Sequence, residues 1–407
     1  MVWFTLRETF SALKHRNYRL WFFGQMVSLV GSWMQTTAQG YLVFELTRSP
    51  AYLGYVGFMA GLPAWLFTLY GGVIADRFPR RSLLMLTQSF MMCLAGILAF
   101  LVFMDLVHPW HILALAFLLG IANAFDAPAR HAFVIELVER EDLTNAIALN
   151  STMFNIGTVV GPAIAGVTYA AFGPAWCFTL NSLSFLAVIG ALAMMRIRIV
   201  SVPAERLSAA KQLAEGFRFT INHPVVRVLV LNMAALSILG FSMMTLLPAW
   251  SVKVLGGDVR TNGLLLSSRG IGALAGALVI AATTRFNVKG KLWSIGSLAM
   301  PVLMIAFSAT RLQPFAMILL SFIGWSFMVQ ANTSNALIQI GLPDNLRGRV
   351  MSIYTLTFFG GMPLGSLLVG LIAARTSEPL AVFINAFTLL LVAVGIFFLQ
   401  PDIRKLE

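Results

Sequence analysis

Apolar residues run through this chain in long blocks, each closed by a short cluster of charged, Gly or Pro positions. A membrane-spanning helix needs about 20 mostly apolar residues. Twelve blocks meet that length, at roughly 18–46, 51–75, 82–104, 110–138, 143–171, 175–196, 224–252, 261–285, 291–309, 314–341, 347–373 and 379–399. The pattern predicts an all-α membrane protein of twelve helices with loops too short for a soluble domain. Within the first block Gln25, Ser28, Ser32, Gln35 and Gln39 recur three and four apart, on one helical face. Turned to lipid, such a stripe would be costly, so it must meet protein or water. It either bonds a neighbouring helix or lines an aqueous cavity.

Composition supports this class. The 407 residues are 58% hydrophobic and 11% charged, and mean hydropathy is +0.83, values of a polytopic membrane protein. A net charge of +12 would suggest nucleic acid in a soluble protein. Here most Lys and Arg fall in alternate connections, with Arg48, Lys253, Arg260, Arg311 and Arg375 on the opposite side. That bias is topology, with both termini cytoplasmic in the plasma (inner) membrane, and no nucleic-acid partner is expected. Cys93 and Cys177 lie inside predicted helices and imply neither a disulfide nor a metal site. Residues 3–16 alternate apolar and basic groups, as an interfacial helix or a basic leader would, and no removable signal peptide is expected. No zinc-type His/Glu pair, nucleophile elbow or phosphate loop is found, which argues against an enzyme and an ATP-driven pump.

Charges inside spans are the candidate chemistry. The fourth helix holds Asn123, Asp126, Pro128, Arg130 and His131. Asp126 and Arg130 are one turn apart and can pair, either as a structural ion pair or in a substrate or proton role. Arg269 lies about mid-bilayer in the eighth helix and must find a carboxylate, carbonyl, water or anionic ligand. Gln330 heads a polar patch in the tenth. Gln25, Ser32, Gln35, Asn123, Asp126, Arg130, Arg269 and Gln330 are thus the candidate substrate and proton cavity. Arg130, Arg269 and the amide-rich stripes favour an anionic or polar solute with aromatic parts.

A second constellation closes the second block: Gly71, Gly72, Asp76, Arg77, Pro79, Arg80 and Arg81, a tight turn at a membrane face. Paired glycines allow close helix approach, and Glu136 is the expected partner of Arg77 or Arg80. The fifth helix carries Gly157, Gly161, Pro162 and Gly166, a groove of small residues for a neighbouring helix. An offset of 204 carries Gly157 to Gly361, Gly161 to Gly365, Gly166 to Gly370 and Asn181 to Asn385. This parallel repeat divides the chain into a six-helix bundle at 1–198, a cytoplasmic linker at 199–223 and a second six-helix bundle at 224–407.

The run from Gly72 to Arg81 resembles the loop between helices 2 and 3 of the major facilitator superfamily, with Pro79 in place of a usual Gly. Gly157 to Gly166 is similar to the helix-5 pattern of that superfamily's exporters and antiporters. Asn17-Tyr18-Arg19-Leu20-Trp21, Glu45 to Pro50 and Asp126-Ala127-Pro128-Ala129-Arg130 look like the branch containing the bacterial enterobactin exporter. The resemblance implies two pseudo-symmetric bundles working by alternating access, with Gly72, Asp76, Arg77, Arg80, Arg81 and Glu136 as a conformational latch. It further implies a proton-coupled exporter of a drug, siderophore or metabolite, needing no cofactor and working as a monomer in the bilayer. An importer or a lipid flippase of the same fold is the alternative.

Overall fold

The computed structural model describes residues 10–196, 209–283 and 288–405. Residues 3–9 of the proposed interfacial stretch, the first part of the linker and Arg285 lie outside these, as does the side chain of Asp76. Among the described residues the long elements are all helical: α1 (Arg16–Thr47), α2 (Pro50–Arg77), α3 (Arg80–Phe103), α4 (Pro109–Glu136), α5 (Leu143–Phe172), α6 (Pro174–Met194), α7 (Pro224–Val254), α8 (Val259–Thr283), α9 (Lys289–Ala309), α10 (Gln313–Ile340), α11 (Asp344–Arg375) and α12 (Glu378–Leu399). A connecting helix, Ala209–Asn222, precedes α7. Ten of these helices, α3 to α12, are long and apolar enough to cross a membrane. Helices α1 and α2 are long enough at 32 and 28 residues, and the glutamines of α1 dilute its apolar content.

Local chemistry sets the helix starts. Proline is the first residue of α4, α6 and α7 and the second of α10 and α12, where its missing N–H costs nothing and its fixed φ suits the first turn. Between α5 and α6, Gly173 takes φ +89°, a conformation favoured by glycine. Helix α7 departs from the regular helix expected over 224–252. It runs α-helical to Ala235, widens to a π turn at Leu236–Gly240, tightens to a 3-10 stretch at Phe241–Leu246, and widens again at Trp250–Val254.

Backbone contacts group the chain into two units: residues 1–42 with 63–205, and residues 43–62 with 206–407. The end of α1 and the first half of α2 therefore belong to the second unit. Each unit buries aromatic side chains, with Trp21 edge-on to Phe133 at 5.3 Å in the first and Trp250 stacked on Phe307 at 4.4 Å in the second. Many large apolar side chains are exposed, among them Leu86, Phe100, Val167, Leu278 and Phe398, while Gln25, Asp126, Arg269 and Gln330 are buried. That inversion suits a lipid environment, where interior polar groups must be satisfied by protein.

Small residues set how closely the helices approach. A Cβ added at Gly161 would lie 2.5 Å from Trp33 Cβ and 2.9 Å from the Val30 carbonyl, so α5 presses on α1. One at Gly365 would lie 2.3 Å from the Ile238 carbonyl, so α11 presses on α7. Gly157 and Gly361 repeat the seam beside Trp33 and Ser237, respectively. Gly370 instead meets Gly54 of α2, where an added Cβ would lie 2.8 Å from its Cα. The repeat extends to a hydrogen bond. Asn181 Nδ2 donates to Gln35 Oε1 at 2.6 Å between α6 and α1, and Asn385 Nδ2 donates to Ser242 Oγ at 3.2 Å between α12 and α7.

Candidate transport site

In the first unit the polar centre is Asp126 of α4, 1% exposed. Its Oδ1 accepts hydrogen bonds from Thr87 Oγ1 at 2.8 Å and Gln88 Nε2 at 2.9 Å, both on α3. Its Oδ2 faces Arg130 Nε one turn along at 3.6 Å. A buried carboxylate persists only when paired and hydrogen-bonded, and here both conditions hold. Two residues after Asp126, Pro128 has no N–H to give the Ala124 carbonyl. Gly71 of α2 approaches that same carbonyl, to which an added Cβ would lie 2.2 Å. Asn123 is exposed and donates to the Leu119 carbonyl of its own helix, and His131 is exposed.

Two members of the α1 stripe are engaged by protein. Gln35 bonds Asn181 of α6, and Ser32 Oγ donates to the Ser28 carbonyl. Gln25 is buried, and among the described residues its Oε1 has no hydrogen-bond partner.

At the end of α2 and the start of α3, Arg80 pairs with Glu136 at the end of α4. Arg81 Nη2 donates to the Ala193 carbonyl at 2.9 Å, near the C-terminus of α6. Arg16 Nη1 donates to the next carbonyl, Met194, at 3.3 Å. Cations suit this end, where the last helical carbonyls are unpaired and the helix dipole is negative. Arg77 is exposed. Gly72 has open space around it, so Gly71 is the member of the pair that a close helix contact requires. Asp142, between α4 and α5, binds Lys14 at 2.7 Å and His15 at 2.8 Å. Sequence reasoning did not single out that cluster, nor Thr87 and Gln88. A polar pair within an otherwise apolar span was the available signal for the latter two.

In the second unit Arg269 of α8 is 8% exposed. Its guanidinium lies over the Phe241 ring, 5.5 Å from the centroid. Among the described residues it forms no salt bridge, and its buried Nε has no hydrogen-bond partner. Gln330 of α10 is 1% exposed with its Oε1 likewise unpaired. Away from this centre, Lys253 pairs with Glu378 at 2.9 Å, and Arg349 pairs with Glu215 of the connecting helix. Among the described residues no cluster of His, Cys, Asp and Glu suits a metal ion.

A family model described as transmembrane secretion effector, within the major facilitator superfamily, matches residues 7–407. The chain belongs to this family. Curated relatives include the staphyloferrin A transporter of Staphylococcus aureus (strain NCTC 8325 / PS 47), 25% identical over 87% of this chain and 89% of the relative. The enterobactin exporter EntS of Salmonella choleraesuis (strain SC-B67) is 24% identical over 96% of this chain and 94% of its own. Among solved structures, a bacterial homolog of the human lysosomal transporter Spinster superposes with a TM-score of 0.75 at 14% identity, covering 97% of this chain and 98% of that one. A D-xylose-proton symporter superposes with a TM-score of 0.72 at 14% identity, over 97% and 98%. These likenesses show the major facilitator fold. The family member described here is a multi-pass membrane transporter of a small organic molecule, and not an enzyme.

Proposed function

We propose that this transporter is a proton-coupled exporter working by alternating access, with a siderophore or related small metabolite as cargo. The export direction and cargo class rest on the relatives, one named as an enterobactin exporter and one as a staphyloferrin A transporter. Proton coupling rests on Asp126, a buried carboxylate with an arginine one turn away. Protonation would discharge that pair and release Arg130 to another partner, a local change able to bias a two-state bundle. Thr87 and Gln88 hold the carboxylate in place in its charged form. No cofactor is required, since the proton gradient supplies the driving force. The Arg80–Glu136 pair, with Asp76 nearby on α2, serves as a latch that must break and reform during the cycle. Both termini face the cytoplasm, and the chain acts as a monomer.

The test is accumulation of dyes, antibiotics and catechol siderophores in efflux-deficient cells expressing wild type or Asp126→Asn, with and without a proton uncoupler. Proton-driven export predicts lowered accumulation of at least one compound, abolished by both the mutation and the uncoupler. Export that survives both treatments, with the protein verified in the membrane, would remove Asp126 from coupling.

A further inference from the structure

The centre in the second unit has three features that together point to the chemistry of a ligand. The first is a charge without a partner. Arg269 is more than nine-tenths buried, and among the described residues it forms no salt bridge. A buried arginine needs a counter-charge or a full set of acceptors. Phe241 covers its face, an interaction of ring and cation. The in-plane edge bearing Nε–H is left without an acceptor among the described residues, and that edge is one of the two with which a guanidinium pairs a carboxylate in the two-point fashion.

The second feature is aromatic. Phe241 of α7, Phe327 of α10 and Phe358 of α11 converge with centroid separations of 5.3, 6.0 and 5.8 Å. All three rings are only half-buried. They therefore keep surface with which an incoming arene could pack edge to face.

The third is the backbone. Gly240 and Phe241 sit at the junction where α7 passes from π to 3-10 geometry. Such interruptions inside membrane helices are tolerated where they line a cavity, and they cluster at functional positions. A small cavity opens there beside Arg269, Gly240, Phe241, Ile323, Gly324 and Phe327, with room for about one water molecule. A ring seated at this cavity would have to displace Phe241, which lines it.

We propose that Arg269, Phe241, Phe327 and Phe358 form a binding subsite for an aromatic anion, its acidic group on the guanidinium edge and its ring among the phenyl groups. This deepens the transport reading above and rests on it for the ligand being cargo.

The test is equilibrium binding of tritiated benzoate to purified full-length protein, competed with cyclohexanecarboxylate, which keeps the charge without the arene, and with benzamide, which keeps the arene without the charge. Benzoate should bind and both competitors should be several-fold weaker. Arg269→Gln should weaken benzoate at least about tenfold and Arg269→Lys by less, while Arg311→Gln, outside the cavity, should leave it unchanged. Phe327→Leu should reduce the preference for benzoate over cyclohexanecarboxylate. Absence of benzoate binding to monodisperse wild type, equal binding by folded Arg269→Gln, or benzamide matching benzoate would each overturn the proposal. Proton-driven efflux in the cell assay without benzoate binding would overturn the subsite alone. Arg269-dependent binding without efflux of any compound would support the subsite and count against the transport reading.

Discussion

Asp126 in the first unit and Arg269 in the second are both nearly inaccessible charges inside membrane helices, yet their surroundings differ. Asp126 has two hydrogen-bond donors and a cation around it, all supplied by α3 and α4. Arg269 has an aromatic face over it and, among the described residues, no counter-ion. A satisfied charge is held in place, and its removal strands its partners. A charge without a counter-ion is costly to its own fold, and the ring contact offsets that only in part, so it calls for an account of what else it binds. The repeat makes this contrast sharper, because the two units share a packing device: Gly161 seats α5 on α1, and Gly365 seats α11 on α7.

Stability measurements on purified protein should separate the two centres. Asp126→Leu leaves Gln88 Nε2 and Arg130 without this acceptor, while Thr87 keeps the Leu84 carbonyl, and should cost about 2–3 kcal/mol, the half-open position of Arg130 softening the loss expected for a buried pair. Arg269→Met removes a cation with no counter-ion among the described residues, and should leave the unfolding midpoint unchanged or raise it. A large loss of stability in Arg269→Met would mean that the guanidinium is structural. Next in size are Gly161→Val and Gly365→Val, each forcing side-chain atoms into a backbone contact at a cost of about 1–3 kcal/mol. Similar values at both sites would show that the units share their packing energetics, and a marked inequality would break the correspondence. Asn181→Ala and Asn385→Ala remove the repeated interhelical hydrogen bond. Each should cost about 0.6 kcal/mol, with the shorter Asn181 bond losing more. Arg80→Ala breaks a half-exposed pair and should have a stability effect of similar size, about 0.2–1 kcal/mol. Its larger effect should be a slower transport rate.

The succession of long helices and the glycine spacing of the repeat were legible because they depend on local pattern alone, whereas the surroundings of Arg269 were not, since the sequence left a structural partner and a ligand equally open. An arginine near mid-bilayer is visible in any window, and glycines at fixed spacing survive as a repeat whatever surrounds them. That Glu136 would meet Arg77 or Arg80 was also legible, since these stand at the ends of helices that must meet at one membrane face, and the partner is Arg80. Partners inside the bundle were not. Whether Asp126 meets Thr87 and Gln88 depends on the rotation of α3, and a shift of one residue turns a helical position by about 100°. For the same reason Gly71, and not its neighbour Gly72, meets α4. The irregular middle of α7 has little local signal, since Pro248 lies beyond the first π turn and the 3-10 stretch. Most of the α1 stripe was ambiguous in sequence, and Gln35 turned out to bond a neighbouring helix.

The most direct test of coupling through Asp126 compares two fluxes in proteoliposomes, using a compound that wild type exports from cells. One is uphill transport driven by an imposed pH gradient, and the other is counterflow exchange with no gradient. Asp126→Asn should lose the first and keep the second, because the carrier still binds and reorients but no longer exchanges a proton. Full gradient-driven transport by Asp126→Asn would contradict the assignment of the coupling group to α4.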